Sequence, residues 1–203
     1  MVDKYGTGDD PDCYPDSTTL INLLDIKDAD LLEDAEREIS ELTAIEIDFE
    51  SPPYDLDYLC SIHQTLFEDI YAWAGELRQI DISKGDTRFC VCSRIEPEAD
   101  KLFVGLANQN YFSDLEYDDL VNALAEFYGD LNVVHPFREG NGRAQRILFE
   151  HIVVNCGWEI SWDDISADEW IEASIDSYQC DYTSMEAIFH RCLGGMIEAD
   201  EEL

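Results

Sequence analysis

The sequence predicts an all-α domain with one β-hairpin laid on it. Apolar residues recur at helical spacing in seven stretches between Asp28 and Gly194, whereas strand character is confined to two short runs around Ser83-Lys84-Gly85-Asp86. Two strands cannot hold a domain together, so the hairpin must lie on a helical body, with one edge free to pair with another chain. At 203 residues, 45% of them hydrophobic, the chain can bury one core, and no composition break divides it.

Residues 1–19, with Gly6, Gly8, Pro11 and Pro15 among aspartates, read as an irregular arm laid over the domain, which spans 20–195. A first helix is expected over 28–47, with Leu31, Leu32, Ala35, Ile39, Leu42 and Ile45 as its stripe, and a second over 55–74, with Leu59, Ile62, Leu66, Ile70 and Trp73. Gly75 is a natural cap for the second. The strands of the hairpin are expected at 77–82 and 88–92. Helices resume over 97–111 and 118–134, and Pro136 stops the latter, which leaves His135 at a helix end. Three more follow, from Asn141 or Gly142 to Asn155, over 166–178 and over 182–194; 196–203 reads as a frayed acidic tail.

The N-terminus has neither a positive flank nor an apolar run, and no segment approaches a membrane span, so a soluble, cytoplasmic chain is expected. Seven dispersed cysteines without a CxxC argue for reduced thiols rather than a disulfide framework or a zinc site. A formal charge of −35 disfavours direct binding to nucleic acid and to anionic membranes, both of which rest on cationic contacts. It leaves open a solvating surface or a docking face for a basic partner.

Against that charge, the segment HPFREGNGRAQR, His135 to Arg146, holds three of the twelve basic residues. It is helix end, loop and helix start, and Gly140 and Gly142 let a ligand approach the backbone. Unpaired N–H groups at the helix start, with the helix dipole, favour an anion there. Arg143 and Arg146, three apart on one face, suit phosphate oxygens, and Asn141 adds a side-chain donor. Glu139 suits magnesium, which shares its ligands between carboxylate, phosphate and water. His135 titrates nearest neutrality and is the candidate general base. His63, His151 and His190 lack metal-spaced neighbours and read as structural.

The segment matches in full the HPFx(D/E)GNGRxxR signature of the Fic family of nucleotidyltransferases. IHQTLFEDIYAWAGELRQIDI, the hairpin after it and LNVVHPF resemble the body of compact bacterial Fic toxins. The resemblance implies a helical core with a β-hairpin flap over the active site. It implies that His135 deprotonates a hydroxyl of a target protein, which attacks the α-phosphate of ATP, with Glu139 on Mg2+. Gly140, Asn141 and Gly142 would form the anion hole, Arg143 and Arg146 would hold the outer phosphates, and Asn132 would lie near the nucleotide. Phe137 would be a buried wedge, and Arg138 fills a variable position. The flap would align the target by strand addition, with Lys84, Gly85, Asp86 and Thr87 near its tip. A kinase subgroup of this fold carries lysine where Gly142 stands, so the pattern here is the adenylylating one.

Members of this type are commonly restrained by an inhibitory (S/T)xxxE(G/N) helix, and no Ser or Thr in this chain has Glu four residues later. The resemblance therefore implies a separate small antitoxin whose glutamate pairs with Arg146. Type II topoisomerase subunits are the targets it suggests. A non-catalytic Fic-fold binding module and a hydrolase that removes AMP are the alternatives: the intact motif speaks against the first, the missing glutamate against the second.

Overall fold

The structure is a computed structural model that describes residues 10–85 and 87–198. Seven helices form the body: α1 (Ala29–Ala44), α2 (Leu56–Phe67), α3 (Ile95–Asn108), α4 (Tyr117–Val134), α5 (Asn141–Asn155), α6 (Ala167–Tyr178) and α7 (Thr183–Cys192). The all-α class with a hairpin flap holds. The flap pairs β1 (Ser83–Lys84) with β2 (Thr87–Arg88). A second small sheet, absent from the sequence reading, pairs β3 (Trp158–Ile160) with β4 (Leu193–Met196). The helical pattern expected to run on to Gly194 thus stops at Cys192, where Leu193 turns extended and the chain pairs with β3.

Helix α4 is the axis of the core. Its Leu120, Val121, Leu124, Ala125, Phe127, Tyr128, Leu131 and Val134 are buried, and α3, α5, α6 and α7 pack around it. Phe127, Tyr128, Phe149 and Phe189 meet at ring separations of 4.9–6.1 Å between α4, α5 and α7. Burial of such rings is the largest apolar contribution to a core of this size. Helix α5 is central as well, flanked by α2, and α2 in turn carries α1. The motif therefore lies at the junction of two core helices, with α2 beside it.

Three expectations are corrected. The stripe proposed for α1 is only partly its buried face: Leu32 is buried and Ile39 packs against the core, but Leu31, Leu42 and Ile45 are 61–79% exposed, and the polar Glu36 and Ser40 point inward. That face meets Tyr71 and Arg143, whose polar groups call for polar partners. Helix α2 ends at Phe67, not Ala74, and the carbonyl of Ile70 accepts from Leu23 N–H at 2.8 Å instead of continuing the helix. The runs 77–82 and 88–92 are mostly not ladder. Their backbone groups bond elsewhere, Arg78 N–H to Pro136 O and Cys90 N–H to Val133 O, so only two residues per strand pair.

The arm bridges Cys13 to Leu20 and sends Asp10 and Asp12 to Arg138, which is 3% exposed. Arg138 is thus an anchor of the N-terminal segment rather than incidental. Met196 closes β4. Residues 199–203 of the expected tail lie outside the described residues.

Candidate active site

His135 is the C-cap of α4, with φ 48° and ψ 64° in the left-handed region. A non-glycine residue there is held by its surroundings. Its N–H bonds Leu131 O, and the buried guanidinium of Arg78 donates from Nε to His135 O at 2.8 Å. The same guanidinium reaches the carbonyls of Ile80, Val134 and Cys90, so one cation collects the end of α4 and both sides of the flap base. A cation suits the negative end of the α4 dipole.

The imidazole stacks on Phe89 at 3.7 Å and 13°. Its Nδ1 lies 3.2 Å from Asn132 O. A carbonyl only accepts, so Nδ1 carries the proton and the neutral ring keeps its lone pair on Nε2. Burial pushes the His135 pKa down to about 3, against the pull of Glu139 and the Asn132 carbonyl. The arrangement provides an oriented, neutral proton acceptor. Asn132 contributes through its backbone.

The loop that follows is braced from below. His63, fully buried on α2, accepts from Gly75 N–H through Nδ1 at 2.9 Å, which leaves Nε2 to donate to Glu139 O at 3.0 Å. It also stacks on the buried Phe137 at 3.9 Å. Gly140 has φ 78°, and a Cβ there would sit 2.3 Å from the Phe67 ring, so only glycine fits. The Asn141 side chain also braces the loop: its Oδ1 accepts from Phe137 N–H and its Nδ2 donates to Phe137 O. What the loop offers an anion is the start of α5. At Gly142 a Cβ would meet nothing closer than Arg146 Nη1 at 3.9 Å.

A cavity of about 580 Å³ opens beside α5, lined by Glu139, Arg143, Arg146 and Glu150 from the motif side and by Glu36 and Ser40 from α1. Here the two arginines differ. Arg143 donates from Nη2 to Glu36 at 2.7 Å and from Nη1 to Ser40 Oγ at 3.2 Å, with Phe67 under the guanidinium at 4.6 Å. Arg146 forms no ion pair among the described residues. Glu139 accepts from Gly140 N–H at 3.0 Å and lies 3.9 Å from Arg143. His135 is not among the residues lining this cavity; it faces the flap.

The loop thus brings together His135, Glu139, Gly140, Gly142, Arg143 and Arg146. The flap lies beside this loop, with Lys84 near enough to push the His135 pKa down: Lys84 and Thr87 pair across its tip, Gly85 turns with φ 58°, and Asp86 lies outside the described residues. Sequence reasoning missed Glu36, Ser40, Tyr71 and Arg78, whereas His63 is structural as expected, with both ring nitrogens satisfied. Glu36 and Ser40 are four apart and in phase with Leu32, a signal hidden by the larger count of leucines and isoleucines on other faces of α1.

Fold and loop define a helical domain whose site is one helix–loop–helix segment beneath a hairpin. The chain belongs to the Fic/DOC family, which residues 53–153 match. It is 38% identical over 200 residues to the probable protein adenylyltransferase Fic of Salmonella typhimurium, a match covering 98% of this chain and 100% of that one. Identity and coverage are the same for the Escherichia coli protein of that name. Among solved structures it resembles BepC, a VirB-translocated effector of Bartonella tribocorum with bound AMPPNP. That match has a TM-score of 0.85 at 25% identity and covers 92% of this chain and 97% of that one.

Proposed function

We propose that this chain is a protein adenylyltransferase of the cytoplasm, which transfers AMP from ATP to a hydroxyl side chain of a target protein and releases pyrophosphate. The observation that carries this reading is a neutral histidine with its Nε2 lone pair available, six residues before the glycine-lined start of α5, which bears two arginines. Relatives named as adenylyltransferases and a structural neighbour holding an ATP analogue support it.

In this reading Nε2 of His135 takes the hydroxyl proton, and the hydroxyl oxygen forms a bond to the α-phosphorus. The bond from that phosphorus to the bridging oxygen breaks, and pyrophosphate leaves with its charge held by Arg143, Arg146 and the first N–H groups of α5. The open space over Gly142 admits the phosphates. The donor set fits magnesium: Glu139 offers a carboxylate on the cavity wall, and the described residues contain no cluster of three that would form an all-protein cage. An ion that completes its shell with phosphate and water suits such a site, where it would neutralise charge on the phosphates. Lys84, Gly85, Asp86 and Thr87 would dock an extended segment of the target along the flap edge.

The protein acts as the toxin of a toxin–antitoxin pair, on type II topoisomerase subunits. Arg146, facing the cavity without an ion pair among the described residues, is where a small partner would place its glutamate. Incubation with labelled ATP, magnesium and a cell lysate, beside His135→Ala, tests the reaction. Label should appear on a protein as an added adenylyl mass and vanish in the variant; a phosphate adduct, or label that persists without His135, overturns it. Co-expression with a small neighbouring gene product should silence the labelling, and full activity of the mixture refutes the antitoxin.

A further inference from the structure

One contact of Arg143 comes from outside the motif. Glu36, on α1, is 8% exposed and has both oxygens engaged: Oε1 accepts from the hydroxyl of buried Tyr71, and Oε2 accepts from Arg143 at 2.7 Å. Ser40, one turn on, accepts from the other terminal nitrogen of Arg143 at 3.2 Å, and its own hydroxyl donates to Arg37 O. Phe67 supports the guanidinium face. A buried carboxylate is costly unless a cation and hydrogen bonds satisfy it, and an apolar residue packed against Tyr71 would serve stability as well or better.

What the carboxylate supplies is orientation. An arginine side chain in an open cavity has many rotamers, and each lost on ligand binding costs affinity. With Nη1 and Nη2 tied to α1 and the ring beneath, the plane of Arg143 is set before any ligand arrives. We propose that Glu36, backed by Tyr71, is a positioning residue that fixes Arg143 for the outer phosphates of ATP; this rests on the reading that Arg143 binds those phosphates. The opposite possibility is physically distinct. A carboxylate that merely occupied the guanidinium would compete with phosphate, and its removal would tighten ATP binding.

The full chain is titrated with magnesium and a non-hydrolysable ATP analogue by calorimetry, as wild type, Glu36→Gln, Tyr71→Phe, Arg143→Ala and the Glu36→Gln/Arg143→Ala double variant. Glu36→Gln should weaken binding roughly tenfold, the scale of one charge-assisted hydrogen bond. Tyr71→Phe should weaken it less, in the same direction. In the Arg143→Ala background, Glu36→Gln should add nothing, an outcome that a general structural role of Glu36 would not produce. Unchanged or tighter binding in Glu36→Gln, or an equal loss with and without Arg143, overturns the inference alone. If Arg143→Ala itself leaves binding intact, the phosphate role of Arg143 falls and the inference with it. The isosteric glutamine keeps the shape of the site, and a thermal melt of each variant identifies any that misfolds.

Discussion

The loop from His135 to Arg146 and the flap from Ser83 to Arg88 lie close together and are built on opposite principles. Side chains from α2 and from the loop itself lock the loop: His63 on Glu139 O, Phe67 under Gly140 and Asn141 on Phe137. Two residues per strand make the flap, which is tied at its base, where Cys90 N–H bonds Val133 O and Asp81 accepts from Cys92 N–H and from Arg88. A reaction centre tolerates little misplacement of its groups, whereas an edge that pairs with another chain through its backbone needs few fixed side chains. The difference teaches which part should fail by unfolding and which by losing a partner.

The largest effect should come from breaking the loop at its tightest point. In Gly140→Ala the new methyl meets Phe67, at about 1–3 kcal/mol for overpacking, and the left-handed backbone adds about 1–2 kcal/mol. Gly142→Ala is the control within the same loop: it lies in α5 with open space around it, so the denaturation midpoint should hold or rise while ATP binding weakens. Equal loss of stability in the two variants would refute the packing account.

Arg78→Met tests the joint between the two regions. It leaves the carbonyls of His135, Ile80, Val134 and Cys90 without their guanidinium, at a cost of about 1.5–3 kcal/mol for the charge-assisted bonds. Amide exchange should accelerate at both Phe89–Cys90 and Val134–His135, with adenylylation falling. Acceleration on the flap side alone would mean that Arg78 does not hold the histidine.

How far all this could be read in the sequence follows the same division. The motif spacing carried the loop, and helix periodicity with Pro136 placed His135 at the end of α4. Braces that act across sequence were not legible, because nothing local marks them. Arg78 looked like part of a strand although its guanidinium gathers carbonyls up to 57 residues away in sequence. Glu36 gave no signal, because charged residues are usually exposed and a buried one has no local mark. Asn141 looked like a ligand donor, and its bracing of the Phe137 backbone was not visible. Arg138 filled a variable position, and its partners Asp10 and Asp12 lie more than 120 residues earlier.

On the flap, a substitution that removes a backbone donor should separate target recognition from nucleotide binding. Thr87→Pro deletes one N–H from the hairpin and should lower modification of the protein target by up to about tenfold, the scale of one or two backbone hydrogen bonds. Affinity for the ATP analogue should be unchanged. A parallel loss of nucleotide binding would show that the flap is part of the cradle.

The smallest expected change, and the most direct view of the loop's rigidity, is in the titration of its histidines. Burial lowers both pKa values, to about 3 for His135 and about 4 for His63, from an ordinary 6.5. Their folded values lie below the unfolded one, so the folded state binds fewer protons between pH 6.5 and these values. Stability is therefore fully present above about pH 6.5 and declines as pH falls through that window. The imidazole resonances of both residues, followed by NMR in the nucleotide-free protein, should remain those of neutral rings at pH 5. Protonation of His135 near pH 6.5 would mean that the ring leaves Phe89 and the Asn132 carbonyl in solution. The oriented Nε2 lone pair on which the proposed proton transfer depends would then not be pre-formed.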